Sequence, residues 1–105
     1  MIITVLRSRV RPEAVEAYKA CTEKMRKLAQ SQPGFISVKA YYAEDGEKVA
    51  IHEWESVEHL RGWREHPEHV KVQQRGRDEF YEDYTVYVCD QPRESRFSRG
   101  PDCTA

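Results

Sequence analysis

The sequence predicts an α+β fold in which one antiparallel sheet of four strands carries two helical segments on one face. Four segments alternate apolar and polar residues, two others repeat apolar residues at every third or fourth position, and their order is β-α-β-β-α-β. Glycine, proline and aspartate separate the segments. With 105 residues the chain can build one hydrophobic core, so we expect a single domain.

The first strand is predicted over residues 2–10, which are rich in Ile, Val, Thr and Leu and end before Pro12. Because proline favours a first helical turn, a helix is predicted over residues 12–31. Acidic side chains near its start and basic ones near its end complement the helix dipole. Its apolar residues form one stripe, Ala14, Tyr18, Cys21, Met25 and Leu28.

Strands two and three are predicted over residues 35–43 and 48–55, because Asp45-Gly46 between them is a strong hairpin signal. Ser56 is the expected N-cap of a second helix, which Pro67 divides into two pieces ending at about Phe80. A last strand is predicted over residues 84–89. This order is the ferredoxin-like pattern, a sandwich that leaves the sheet face away from the helices uncovered.

Alternation along the strands assigns side chains to the two faces of the sheet. The helix side is expected to receive Ile36, Val38 and Ala40 from strand two and Val49 and Ile51 from strand three. The open face is expected to carry Tyr41, His52 and Trp54. Since a partner usually covers an exposed face of aromatic and apolar residues, we expect a homodimer.

Composition and charge exclude several classes of protein. The chain is 39% hydrophobic and 33% charged, which is too mixed for disorder, and its formal net charge of -1 gives no general attraction to nucleic acids or anionic membranes. No apolar run approaches the roughly 20 residues of a transmembrane helix. The first residues lack the features of a leader, so we expect a cytoplasmic protein.

The cysteines and the C-terminal residues complete the outline. Cys21, Cys89 and Cys103 form no C-x-x-C pair, so we expect reduced thiols, with the first two buried. Residues 91–105 are polar and rich in Pro, Arg and Ser. We therefore expect a domain over residues 1–90 and a polar tail over residues 91–105.

Five short motifs carry a resemblance to a known family: QPGFISV at 32–38, DGE at 45–47, HEWES at 52–56, WREHPEH at 63–69 and QRGR at 74–77. Together they resemble the antibiotic biosynthesis monooxygenase family, and the match runs over most of residues 2–90. Members of that family are small dimeric α+β barrels, so the resemblance implies that two ferredoxin-like sheets close against each other. Some members oxidise aromatic substrates without metal or flavin, relatives degrade haem, and other such barrels are isomerases, so the fold does not fix the reaction.

The resemblance also suggests which chemistry to expect. In the cofactor-free oxygenases a tryptophan on the second helix orients a phenolic substrate, and Trp63 matches it by position in the motif. Haem-degrading relatives use an asparagine and a histidine about ten residues after the tryptophan, whereas this chain has no asparagine and carries Gln73 there. The resemblance therefore implies molecular oxygen as co-substrate with no cofactor, and it argues against haem.

Three residues are candidates for catalysis, namely His52, Trp63 and His69. A neutral imidazole with a pKa near 6.5 accepts a proton from a phenol or a C–H group at working pH, so either histidine is a candidate base. Each has a structural alternative. For Trp63 the alternative is a core residue between helix and sheet. For His52 it is a hydrogen-bonded histidine at a dimer interface, and for His69 it is a side chain that points outward.

Four residues are candidates for substrate binding, namely Tyr41, Trp54, Arg77 and Tyr81. A tyrosine hydroxyl can bind a substrate hydroxyl or quinone oxygen, Trp54 can hold the ring, and a guanidinium can hold an oxyanion or a carboxylate. The alternatives are tyrosines that pack inside the barrel and arginines that form surface or inter-subunit ion pairs.

No metal site is predicted. His59, His66 and His69 have spacings seen in helical metal sites, but Pro67 interrupts the helix between them and no Cys or Asp completes the set. The function predicted first is a cofactor-independent monooxygenase acting on an electron-rich aromatic such as an anthrone, a quinol or a polyketide phenol. The alternatives are an isomerase or cyclase that uses no oxygen, and a non-catalytic dimer that binds a small ligand.

Overall fold

The structure, a computed structural model, describes residues 1–100 and follows the predicted order of elements. The strands are β1 (Ile2–Val10), β2 (Phe35–Tyr42), β3 (Lys48–Trp54) and β4 (Tyr81–Asp90). The helices are α1 (Val15–Gln30), α2 (Val57–Arg64) and α3 (Pro67–Arg75), with a 3-10 turn at Pro12–Ala14 and a π-helical turn at Gly76–Phe80. No helix in the described part of the chain is long and apolar enough to cross a bilayer.

The four strands form one antiparallel sheet in the order β2-β3-β1-β4, which confirms the α+β, ferredoxin-like prediction. The sequence also predicted the local signals correctly. Gly46 has a positive φ of 91° in the β2–β3 turn, and the Ser56 hydroxyl accepts a hydrogen bond from the backbone N–H of His59 as the N-cap of α2. Pro67 begins α3 as a separate helix.

The main core lies between α1, α2 and one face of the sheet. Its buried residues are Ile2, Met25, Ala29, Trp54, Leu60 and Trp63. A smaller cluster of Ala14, Tyr18 and Phe80 closes the other end of α1, so the predicted apolar stripe of that helix does face the sheet. Both clusters lie on one side of the sheet, which leaves its second face without a helix.

The alternation of β3 is opposite to the predicted one. Trp54 is completely buried in the main core, and Ala50 and His52 lie on the same side of the sheet. The prediction that His52 and Trp54 lie on the open face is therefore wrong, as is the placement of Val49 and Ile51 toward the helices.

The register of the sheet explains this assignment, because residues directly opposite each other share a face. Trp54 pairs with Ile2 and His52 pairs with Thr4, and both partners are buried. In β2, Val38 and Ala40 lie on the helix side as predicted. A bulge between Phe35 and Ser37 turns Ile36 outward, and this side chain is 45% exposed.

The open face carries aliphatic and aromatic side chains: Ile3, Val5, Tyr41, Val49, Ile51 and Tyr87. Tyr41 lies there as predicted and is 53% exposed. Arg7 crosses this face, with a guanidinium hydrogen bond to the carboxylate of Glu47. The face therefore combines apolar strands with a charged margin.

Two smaller predictions differ from the structure. The last strand begins at Tyr81, three residues earlier than predicted, and Cys89 is exposed at the sheet edge while Cys21 is only half-buried. Residues 92–100 form no helix or strand, and Cys103 lies outside the described residues.

Candidate functional site

A cavity of about 440 Å³ lies between the helix side of the sheet and helices α2 and α3. Five of the seven residues proposed from the sequence line it: His52, Trp63, His69, Arg77 and Tyr81. The apolar part of the wall is built mainly by Leu6, Leu60, Val72, Val86 and Val88. An apolar cavity with a few converging polar groups is the usual form of a small-molecule site.

The side chains of Trp63 and His69 form a stack on one wall of the cavity. Their ring centroids are 4.1 Å apart and the ring planes differ by 17°. Trp54 continues the stack behind Trp63, with centroids 6.2 Å apart. Trp63 is 6% exposed, so it is a core residue and a cavity wall at once.

The turn between α2 and α3 fixes the orientation of His69. Its Nδ1 lies 3.1 Å from the backbone carbonyl oxygen of Trp63. A carbonyl oxygen only accepts hydrogen bonds, so Nδ1 carries the proton and Nε2 keeps its lone pair. The amide nitrogen of Gln73 lies 3.2 Å from the same Nδ1 and donates a hydrogen bond to the carbonyl oxygen of Arg64 at 3.0 Å, so it does not occupy Nε2. The neutral ring can therefore act as a base through Nε2.

Both cavity histidines favour the neutral form. Burial lowers the pKa of His52 to about 4, and the charge that His69 acquires when it is protonated acts in the same direction, as does the charge of Lys48. Burial also lowers the pKa of His69, although the hydrogen bond to the Trp63 carbonyl opposes that shift. Because the lowered pKa makes the protonated imidazole a stronger acid, a buried histidine that takes up a proton also donates it readily.

Arg77 and Tyr81 line the cavity near the π-helical turn. The Arg77 guanidinium donates a hydrogen bond to Gln74 at 2.9 Å and is otherwise exposed. Burial raises the pKa of Tyr81, and contact with Tyr18 adds to the shift, so its hydroxyl stays protonated and can donate. Gly76 makes room for this ring, because a Cβ there would lie 2.7 Å from Tyr81 Cε2.

Two proposed substrate-binding residues lie outside the cavity. Trp54 supports Trp63 from behind and is completely buried, so it cannot touch a ligand in this cavity. Tyr41 is on the opposite face of the sheet. The sheet register buries Trp54, whereas Tyr41 lies on the predicted face and the cavity lies on the other face of the sheet.

A second, smaller cavity of about 120 Å³ adjoins the first. The two share four lining residues: Leu6, His52, Val72 and Tyr81. Tyr18, Arg26 and Lys48 line only the smaller one. The sequence places Tyr18 in the apolar stripe of α1 and gives no sign that these three residues line a cavity. Lys48 nevertheless has the same parity in β3 as His52, so it has to lie on the same face of the sheet.

The histidines of the α2–α3 region do not converge. His59 contacts the Ser56 hydroxyl through Nδ1 at 2.8 Å, and the His66 side chain caps α3 by accepting from the backbone N–H of Glu68. Within residues 1–100, no group of three or more His, Cys, Asp or Glu side chains is arranged to hold a metal ion.

Comparison of the sequence with known proteins identifies a family and a relative. Residues 1–75 match the family model of antibiotic biosynthesis monooxygenases. The protein YqjZ of Bacillus subtilis (strain 168) is 34% identical over 93 residues, which are 89% of this chain and 82% of YqjZ.

Solved structures share the fold at lower identity. Rv0793 from Mycobacterium tuberculosis superposes with a TM-score of 0.79 at 22% identity, covering 90% of this chain and 98% of its own. SnoaB, a cofactor-independent oxygenase from Streptomyces nogalater, superposes with a TM-score of 0.75 at 17% identity, covering 89% and 94%.

Proposed function

Since the chain belongs to the antibiotic biosynthesis monooxygenase family, we propose that it is a cofactor-independent monooxygenase of an electron-rich aromatic substrate. The proposed substrate classes are anthrones, quinols and polyketide phenols. The observation that carries the proposal is the Trp63–His69 stack, which holds a neutral imidazole with a free Nε2 on the wall of an apolar cavity. The likeness to SnoaB supports the choice of an oxygenase without a cofactor.

The proposed reaction begins with proton transfer. The aromatic substrate lies in the larger cavity against Trp63, and His69 Nε2 removes a proton from its C–H or O–H group. The resulting anion is delocalised over the rings. Arg77 and Tyr81 line the same cavity, and we assign to them the stabilisation of charge on the substrate oxygen.

The substrate anion then supplies the electrons for oxygen. One electron passes to O₂, the two radicals combine to form a C–O bond, and the product is a peroxide. Burial disfavours the imidazolium, so His69 returns its proton to the peroxide. Loss of the second C–H proton breaks the O–O bond, so a CH₂ group and O₂ become a carbonyl group and water.

Oxygen uptake tests the proposal. The substrate is dithranol, a hydroxylated anthrone, with EDTA present and the autoxidation rate subtracted. We expect chelator-resistant uptake that falls about 100-fold or more in His69→Gln, the size of a general-base contribution. The matched control is His66→Asn, which removes a histidine outside the cavity and keeps an N-cap side chain on α3.

A second variant separates the catalytic from the structural part of Trp63. We expect Trp63→Phe to lose uptake while its thermal midpoint stays within a few degrees of wild type. Loss of folding in this variant would make Trp63 structural. Product formed without oxygen consumption would favour the isomerase alternative, and no turnover of a panel of anthrones and quinols would favour ligand binding without catalysis.

We further propose that the protein acts as a homodimer, with residues 1–90 as its domain. The open face supports this, because Ile3, Val5, Val49 and Ile51 are only partly covered by their own chain. A second copy offers the same aliphatic surface across a two-fold axis. Two such sheets closing on each other give the dimeric α+β barrel.

A further inference from the structure

The charges around the two cavities are all of one sign. Arg64 and Arg77 line the larger cavity and Arg26 and Lys48 line the smaller one, whereas no carboxylate of residues 1–100 lines either. The whole chain has 17 basic and 18 acidic residues, so composition alone does not explain this. None of the four cations is in an ion pair within the described chain. The site therefore attracts an anion.

Lys48 is the buried member of this set. It is 8% exposed, and its Nζ donates a hydrogen bond to the hydroxyl of Tyr18 at 2.8 Å. The same ammonium lies 4.8 Å from the Tyr18 ring centroid. A cation with so little exposure and no counter-charge among residues 1–100 is costly, since a hydroxyl and a ring stabilise it less than a carboxylate does.

Polar groups near Lys48 also retain hydrogen-bonding positions that no residue in 1–100 fills. Ser8 lies opposite Lys48 in the sheet, is 1% exposed, and its Oγ has no hydrogen-bond partner in residues 1–100. The Tyr18 hydroxyl accepts from Lys48, and its hydrogen bond with Tyr81 raises the pKa of Tyr81, which makes Tyr81 the donor of that bond, so the Tyr18 proton remains available to a further acceptor. On the solvent side, Glu23 borders the groove next to Lys48, but its carboxylate pairs with Lys27.

Building on the proposed function, we propose that the aromatic substrate carries a carboxylate and that Lys48 and Tyr18 bind it in the smaller cavity. Lys48 Nζ donates to one carboxylate oxygen and Tyr18 Oη to the other. The volume of about 120 Å³ suits an acidic group on a short arm, and the adjoining 440 Å³ suits the rings. His52 lies at the junction, so an acid held by Lys48 places the rings beside Trp63 and His69.

A matched pair of ligands tests this without turnover. We would titrate the protein with 2-naphthylacetate and with 2-naphthylacetamide by calorimetry at pH 7.5 and low salt. The two probes have the same rings and arm and differ in charge. We expect the acid to bind at least 10-fold more tightly than the amide.

Two variants assign the preference to its residues. Lys48→Met keeps the apolar stem and should reduce the acid-to-amide ratio of Kd values to near one. Tyr18→Phe removes only a hydroxyl and should reduce that ratio several-fold, which keeps the test valid if Lys48→Met does not fold. Lys24→Met, at an exposed position of α1, is the control and should keep the wild-type ratio.

Equal affinity of the wild type for acid and amide would overturn the inference, as would a preference that survives in Lys48→Met. Oxygen uptake with the neutral anthrone but no preference for the acid would overturn the carboxylate site and leave the proposed monooxygenase intact. An acid preference without oxygen uptake would overturn the proposed monooxygenase and leave the carboxylate site intact. Failure of both probes to bind would overturn the carboxylate site, while oxygen uptake with the neutral anthrone would still decide the monooxygenase proposal by itself.

Discussion

The burial of His52 predicts a specific dependence of stability on pH. Its pKa is lowered from 6.5 to about 4 in the folded protein, so the unfolded chain binds more protons between these values. The free energy of unfolding therefore falls as the pH falls through this window, and well above pH 6.5 the effect of the residue becomes small. His69 acts with the same sign, because burial lowers its pKa too.

The magnitude follows from the two pKa values. At pH 5 the unfolded imidazole is mostly protonated and the folded one mostly neutral, so His52 alone lowers the stability by RT ln(33/1.1), about 2 kcal/mol. At pH 7.5 the same expression gives roughly 0.1 kcal/mol. A variant without a titratable group at this position, His52→Gln, lacks this contribution. We therefore expect the wild type to lose about 2 kcal/mol more than His52→Gln between pH 7.5 and pH 5.

Urea denaturation followed by circular dichroism at both pH values measures the difference. The comparison removes the effect of carboxylates, which titrate alike in both proteins. Thr4→Val is the control, since Thr4 pairs with His52 across the sheet and lines the same cavity but carries no titratable group. Its stability should change with pH as the wild type does. If the wild type and His52→Gln lose the same stability on acidification, a neutral buried His52 is refuted.

Three further predictions concern packing, charge and assembly. Gly76→Ala should destabilise the protein by about 1–3 kcal/mol, because the new Cβ would meet the Tyr81 ring. Gly62→Ala is the control, since a Cβ there meets open space and should stabilise α2 by about 0.5–1 kcal/mol. Equal effects of the two substitutions in urea denaturation would contradict this. Lys48→Met should raise the free energy of unfolding by about 1 kcal/mol by removing a buried charge, and a loss of stability would argue against that cost. Val5→Glu on the open face should convert a dimer to a monomer in light scattering, and an unchanged mass would exclude this face as the interface.

The elements of this fold are predictable because their signals are local. Proline at the start of α3, the serine cap of α2 and the Asp-Gly turn each act within a few residues, and each appears where the sequence places it. The start of β4 is less predictable. Tyr81 pairs with Val10 across the sheet, and this long-range pairing extends the strand beyond its alternating segment.

The faces of β3 were not predictable from hydrophobicity. Both faces of this sheet carry apolar residues, so alternation defines two sets of side chains and does not say which set the helices cover. The helix side contains buried Thr4, Ser8 and Lys48, while aliphatic Val5 and Ile51 face outward. Polar side chains are therefore buried on the helix side of the sheet while aliphatic ones face outward, the reverse of the usual preference. The helix side contains the cavities, and Thr4 and Lys48 line them. His52, Trp63 and His69 nevertheless line one cavity. They could be proposed from the sequence because the choice rested on the types of residue that the chemistry requires and did not depend on the assignment of sheet faces.

The chain contains two tryptophans, and both belong to the aromatic stack on the cavity wall. Its tryptophan fluorescence therefore comes from this stack, which forms one wall of the candidate site and the core behind it. An excited indole transfers an electron readily to a protonated imidazole and poorly to a neutral one. The His66 ring, with its centroid 5.9 Å from that of Trp63, contributes less than the His69 ring at 4.1 Å, so the emission should mainly report the protonation of His69. Since burial lowers that pKa, the quenching midpoint should lie below pH 6.5 and should move when a ligand enters. The molecule thus contains an optical probe of its own site and needs no label.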